Sequence, residues 1–150
     1  MIIRKAKKED FFSYIILKRE EEKDISKVLN KKIKSPSSFV LKKKFNEIIS
    51  SKKELILFVE SENKLIAYLH GMVFKNIYNR GGWVEDIFVL NDFRKKGIAT
   101  SLIKEFIKII NNKGIKKLHL SVNVKNETAL KLYKKLGFEM YHYDLKKEWK

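Results

Sequence analysis

The chain of 150 residues contains no cysteine, which removes disulfides, zinc–thiolate sites and thiol nucleophiles together. Proline occurs once, at Pro36, and glycine six times, so the few positions that force a bend are informative. No stretch without a formal charge exceeds the ten residues of Leu65–Phe74, about half of what a membrane-crossing helix needs. The opening MIIRKAKKED has no apolar leader core, which predicts a cytoplasmic chain with no membrane attachment. Arginine is scarce as well: 30 lysines stand beside 4 arginines. Nucleic-acid recognition leans on arginine for bidentate contacts, so the net charge of +16 does not by itself mark a nucleic-acid binder. With 18 isoleucines and 10 asparagines, the lysine excess also fits an AT-rich coding bias.

What is present is a foldable chain. Hydrophobic residues make up 44% and aromatics 12%, too much apolar material for a disordered basic tail. The length predicts a single domain over residues 1–150. Charge is spread unevenly: residues 54–93 carry a net −3 and residues 94–125 a net +8.

Apolar periodicity predicts a first strand at Met1–Ala6 and then a helix. That helix opens at Glu9-Asp10 and ends in the charged run Lys18–Asp24. Ser35-Pro36 reads as the opening of a second helix, Ser35 as cap and Pro36 in the first turn. Strands follow at Leu55–Val59 and Leu65–Phe74, joined by a Ser61-Glu62-Asn63-Lys64 hairpin turn. Gly81-Gly82 reads as a break before a strand at Trp83–Leu90. Ile98–Ile110 has the clearest helical stripe, and Gly114 ends it. A strand at Leu118–Val124, a helix capped by Asn126 and ending at Gly137, and an extended segment Phe138–Trp149 close the chain. The order is β-α-α-β-β-β-α-β-α-β, an α/β (α+β) arrangement with helices covering a mixed sheet.

The junction Val89–Thr100 carries the chemistry. A strand runs into Arg94-Lys95-Lys96-Gly97-Ile98-Ala99, which opens the strongest helix. Unpaired N–H groups there, with a glycine that admits close approach and three formal charges, describe a pyrophosphate cradle; an ordinary βα turn is the bland alternative. Arg94-x-x-Gly97-x-Ala99 resembles the acyl-CoA signature of the GNAT acetyltransferase superfamily. Asn126-x-x-Ala129-x-x-x-Tyr133-x-x-x-Gly137-Phe138 resembles that family's second signature, 32 residues on. Val84-Glu85-Asp86-Ile87-Phe88-Val89 resembles the corresponding strand of spermidine/spermine and diamine N-acetyltransferases. Lys95-Lys96 and Ala99 depart from the commonest family residues.

The resemblance implies a GNAT fold, a mixed sheet of six to seven strands flanked by about four helices. It implies acetyl transfer from acetyl-CoA to a primary amine by direct attack, with no acyl-enzyme and no metal. It places Tyr133 as general acid toward the CoA sulfur, where periodicity alone gives a core tyrosine. Glu85 falls where relatives carry a base acting through water, with electrostatic holding of a cationic substrate as its competitor. Backbone groups of Ile87, Phe88 and Val89 would pair with pantetheine amides. Arg94, Lys95, Lys96, Gly97, Ile98, Ala99 and Thr100 would cradle the pyrophosphate. Asn126, with Ala129 and Tyr133 on its helix, would meet the pantetheine arm.

Trp83, Glu85 and Asp86 are candidate acceptor contacts, Trp83 equally a sheet-packing residue. Strand alternation puts Glu85 with Ile87 and Val89, and Asp86 with Phe88. His70, His119 and His142 have no ligand-like spacing, and only His119 falls near the site. The acceptor would be a polyamine or diamine, or alternatively a protein or peptide N-terminus. A different class, a non-catalytic basic nucleic-acid module using Lys42–Lys44, Lys116-Lys117 and Lys134-Lys135, has no recognition motif to support it. Relatives are often dimers, and an exposed strand at Tyr141–Trp149 could pair two copies.

Overall fold

Alternating apolar residues build five strands in the computed structural model, which describes residues 1–75, 80–141, 145, 147 and 149. They are β1 (Ile2–Lys5), β2 (Glu54–Ser61), β3 (Lys64–Lys75), β4 (Arg80–Val89) and β5 (Leu118–Leu120), lying side by side in that order. The first four run antiparallel, and β5 joins β4 in parallel. Helices α1 (Phe11–Leu29), α2 (Ser38–Ser50), α3 (Ile98–Asn111) and α4 (Glu127–Lys135) cover the sheet.

Each face of the sheet has its own core. On one, the α3 stripe Ile98, Leu102, Ile103, Phe106 and Ile110 packs against Leu57, Val59, Ala67, Leu69, Val84 and Val89, joined by Tyr133 of α4. On the other, Phe11, Tyr14 and Leu17 of α1 and Leu41, Phe45 and Ile48 of α2 cover Ile56, Phe58, Tyr68 and Phe88. Full burial of such a side chain stabilises by about 1.5–3 kcal/mol. The β2–β3 turn forms as expected, with Glu62 and Asn63 at φ 51° and 61°, the left-handed pair that a two-residue hairpin turn requires. Arg4 of β1 grips Asp10 before α1 through two bonds of 2.8 Å and holds its carboxyl below the usual carboxylate range.

Several boundaries differ from the sequence reading. The α2 cap is Ser37, whose Oγ accepts from the Val40 N–H at 3.3 Å, rather than Ser35. Helix α1 runs through the charged segment to Leu29 and stops at Asn30, φ 49°. Gly81 and Gly82 lie inside β4. They are required by crowding: a Cβ on Gly81 would stand 2.6 Å from the Phe74 ring, and one on Gly82 2.7 Å from Ile110 Cδ1. Strand β5 is shorter than Leu118–Val124, and residues 138–141 carry no strand. The rest of the expected closing strand lies largely, and His142 wholly, outside the described residues; among the described residues the sheet has five strands against six to seven expected. Among the described residues no helix is long and apolar enough to cross a membrane.

Candidate active site

Two irregularities in β4 create the site. The first is on its β5 side: parallel pairing covers Gly82↔Leu118, Trp83↔His119 and Val84↔Leu120, and among the described residues no strand pairs with that side of β4 from Glu85 to Val89. The second is on its β3 side, where the register jumps from Gly71↔Val84 to His70↔Asp86. Glu85 is the extra residue of a β-bulge. Asp86 shares the α1 face with Phe88, and Ile87 and Val89 lie on the α3 side, as simple alternation predicts. The bulge breaks the pattern only before Asp86, where it puts Val84 on the α3 side as well. Glu85 is exposed, and its carboxylate has no ion-pair partner among the described residues.

The ladder also fixes which backbone groups are open. The Leu90 N–H donates to the Ile66 carbonyl at 3.0 Å, so residues 90 and 88 exchange bonds with β3 and residues 89 and 87 face away. Ile87 and Val89 therefore turn their N–H and C=O groups to the edge that β5 leaves uncovered, and Phe88 turns its own toward β3. The Val89 carbonyl accepts from Arg94 Nε at 2.8 Å. Arg94 also pairs with Asp24 of α1 and lies over the Phe88 ring, 5.4 Å from its centroid.

After β4 a short 3₁₀ turn, Asn91–Phe93, leads to α3. Gly97 precedes α3 at φ 77° with nothing within 4 Å of a would-be Cβ, and no side chain caps the helix. The N–H groups of Ile98, Ala99 and Thr100, the first of the helix, thus have no intrahelical or side-chain partner among the described residues, beside the exposed Lys95 and Lys96. Lys96 Nζ donates to the Asp92 carbonyl at 3.0 Å. Helix α4 differs in being capped: Asn126 Oδ1 accepts from the Ala129 N–H at 3.2 Å. Two turns on, Tyr133 is 9% exposed, its ring edge-on to Phe138 at 5.8 Å. Burial raises its pKa, and its hydroxyl has no hydrogen-bond partner among the described residues.

The opposite face of β3–β4 holds a charged network that the sequence reading missed. Lys18 Nζ of α1 lies 2.6 Å from Glu21 Oε2 and 3.2 Å from Asp86 Oδ2. Tyr68 donates its hydroxyl to Glu21 at 2.6 Å. His70 Nε2 sits 2.9 Å from Glu54 Oε2, and Glu54 meets Lys44 at 3.5 Å. Burial raises the Glu21 pKa and raises that of Tyr14 to about 12. For Lys18, burial pulls downward but is outweighed by Glu21 and Asp86, and the pKa rises. These contacts join residues up to 68 positions apart, and the one local signal was the i,i+3 pair Lys18–Glu21. Nearby, Trp83 stacks on His119 at 6.1 Å, and His119 Nε2 is buried without a hydrogen bond. Among the described residues no three His, Asp or Glu side chains are placed to hold a metal.

Comparison with known proteins follows from this geometry. A family model described as "Acetyltransferase (GNAT) family" matches residues 10–138. The mouse thialysine N-epsilon-acetyltransferase is 34% identical over 80 residues, 52% of this chain and 47% of the relative. An N-alpha-acetyltransferase of Saccharolobus solfataricus is 34% identical over 87 residues, 52% of each. The chain spans about half the length, or less, of such curated relatives. Among solved structures, a tetramutant of the BH1408 protein from Bacillus halodurans superposes with TM-score 0.89 at 19% identity, covering 99% and 100% of the two chains. The aminoglycoside 6'-N-acetyltransferase AAC(6')-IG from Acinetobacter haemolyticus gives 0.80 at 19%, covering 100% and 99%.

Proposed function

The chain belongs to the acetyltransferase (GNAT) family, and from that premise we propose that it moves an acetyl group from acetyl-CoA to a primary amine by direct attack. The observation that carries this reading is the uncapped N-terminus of α3 at Gly97 beside a β4 edge left open beyond Val84. The first suits a pyrophosphate, and the second suits an extended amide-bearing arm that adds like a short strand. The N–H groups of Ile98, Ala99 and Thr100 would hold phosphate oxygens, with Lys95 and Lys96 adding charge. Ile87 and Val89 would pair with the arm, and the unused amide of Asn126 would reach it from α4. Arg94 would act chiefly by holding the end of β4, since its guanidinium already serves Val89 and Asp24.

The thioester supplies an acyl carbon activated for attack. As the C–N bond forms and the C–S bond breaks, an open N–H of β4 would stabilise the developing oxyanion. Glu85, exposed and unpaired, would take the amine's proton through water, and Tyr133 would give a proton to the departing sulfur. No nucleophilic side chain is needed, in keeping with a chain that has no cysteine. The reading has one domain over residues 1–150, working in the cytoplasm without a specific nucleic-acid partner.

The acceptor is the finer question. Names among the relatives, thialysine N-epsilon- and N-alpha-acetyltransferase, support an amine acceptor, small or peptidic. A diamine or polyamine would draw on both Glu85 and Asp86, but Asp86 already has Lys18 as its partner. Thiol release from acetyl-CoA, measured against polyamines, amino acids, aminoglycosides and peptides with free N-termini, tests the reading. Release above the hydrolytic background is expected with at least one amine; none with any of them would remove the enzyme reading.

A further inference from the structure

We infer that Lys18 is a specificity-determining residue, an internal cation that fills the position of Asp86 and disfavours acceptors carrying a second ammonium. The inference rests on the acetyltransferase reading, with the α1 side of β4 taken as the acceptor side. Lys18 Nζ lies within 3.2 Å of both Glu21 and Asp86 on this face, and His70 Nδ1 lies 4.0 Å from the same Asp86 Oδ2, so the carboxylate that a second ammonium would seek already holds a cation. Glu54, further along, is matched by Lys44. Glu85, displaced from the ladder by the bulge, brings a second negative charge that is exposed and free to attract the reacting amine.

The Asp86 side chain is 35% exposed and so reachable, while the Lys18 side chain is only 15% exposed. The ammonium therefore sits beneath Asp86 as part of the wall, with Tyr68 beneath it at 5.6 Å and Glu21, 8% exposed, on its other side. Glu21 in turn is fixed by the Tyr68 hydroxyl, so the lysine cannot swing away without leaving a buried carboxylate unpaired. A diamine reaching for Asp86 with its distal ammonium would meet a like charge held in place. An acceptor with a single cation, such as a peptide α-amine or a monoamine, would meet no such opposition. Specificity here comes from a repulsive element built into the wall rather than from an added contact.

The test compares 1,5-diaminopentane with 1-aminopentane in wild type, Lys18→Arg, Lys18→Met and the double variant Lys18→Met/Glu21→Gln. The double variant keeps the net charge of the cluster at minus one, which guards against unfolding from two unpaired carboxylates. We expect its ratio of kcat/KM, diamine over monoamine, to rise about threefold to fivefold over wild type through KM, the scale of one modest ion pair. Lys18→Arg should retain the wild-type ratio. A second arm needs no turnover: 1,5-diaminopentane should raise the Tm of the double variant and not that of wild type. An unchanged ratio in the double variant, or no diamine-dependent Tm rise, would overturn the role of Lys18. If wild type acetylates neither amine nor any other, the acetyltransferase reading fails by itself, and the thermal arm still decides whether Lys18 occupies a cation position.

Discussion

The roles proposed for Tyr133 and Glu85 make opposite demands on burial. The Tyr133 hydroxyl is held in an apolar setting that raises its pKa, so the phenol stays protonated through the neutral range and beyond, as a proton donor must. Glu85 is exposed, a setting in which a carboxylate can reach an amine through water. Tyr133→Phe keeps the ring and its packing on Phe138, so folding and acetyl-CoA affinity should be preserved. Its kcat should fall about 10²–10⁴-fold, the range for a lost general acid, with KM little changed. In wild type the alkaline limb assigned to this acid should lie above the ordinary tyrosine range, because the shift is upward. Glu85→Gln should leave an enzyme that gains activity steeply with pH, as free amine replaces the missing base. If Glu85 only attracts a cation, KM rises instead and the profile keeps its shape. Measured kcat and kcat/KM against pH for both variants separate these outcomes, and a fully active Tyr133→Phe would return that residue to core packing.

The α3 N-terminus puts the proposed phosphate site on a single element. Gly97→Glu sets a negatively charged side chain beside the Ile98, Ala99 and Thr100 amides and forces a non-glycine residue to φ 77°. The backbone strain should cost about 1–2 kcal/mol, visible in the variant's own Tm. Acetyl-CoA should raise the Tm of wild type, and in the variant that rise should vanish; a rise of undiminished size would move the phosphates elsewhere. This element was legible in the sequence because its signals are local: a stripe at 3.6 residues, a glycine just before it, a glycine after it. The same holds for the Glu62-Asn63 turn. Gly81-Gly82 misled because a glycine needed for close approach to Phe74 and Ile110 looks, in sequence, like one needed for a break. Ser35 reads as the α2 cap because it precedes the proline, yet Ser37 makes the bond. Asp86 is legible as a candidate acceptor contact, but its meeting with Lys18, Glu21 and Tyr68 is not, because only tertiary folding brings these residues together and no period in the sequence marks a cross-element ion pair.

At the scale of the whole molecule, the uneven charge acquires a layout. The acidic stretch 54–93 supplies the sheet carboxylates Glu54, Glu85 and Asp86, and the basic stretch 94–125 opens with the α3 cradle. The remaining lysines are largely surface groups spread over every helix. That distribution predicts weak association with polyanions such as RNA, falling steeply and linearly in log affinity against log salt. Filter-binding or fluorescence titration from low to physiological salt would check it. Tight, sequence-selective binding that persists at physiological salt would revive the nucleic-acid module and argue that the lysines serve recognition.

The bulge at Glu85 has a consequence for how this strand can vary. Gly71 opposes Val84 and His70 opposes Asp86, so the two partners on β3 are consecutive and the sheet in effect skips the residue between Val84 and Asp86. A chain without that residue would keep Val84 against Phe106 and the α3 core, Asp86 beside Lys18, and every pair onward to Ala67↔Val89 unchanged. Elsewhere in β4 a deletion would turn the rest of the strand inside out. Position 85 is thus a supernumerary place in the strand, free to be rewritten or dropped without touching the architecture, and it is there that the fold carries the carboxylate nearest its open edge.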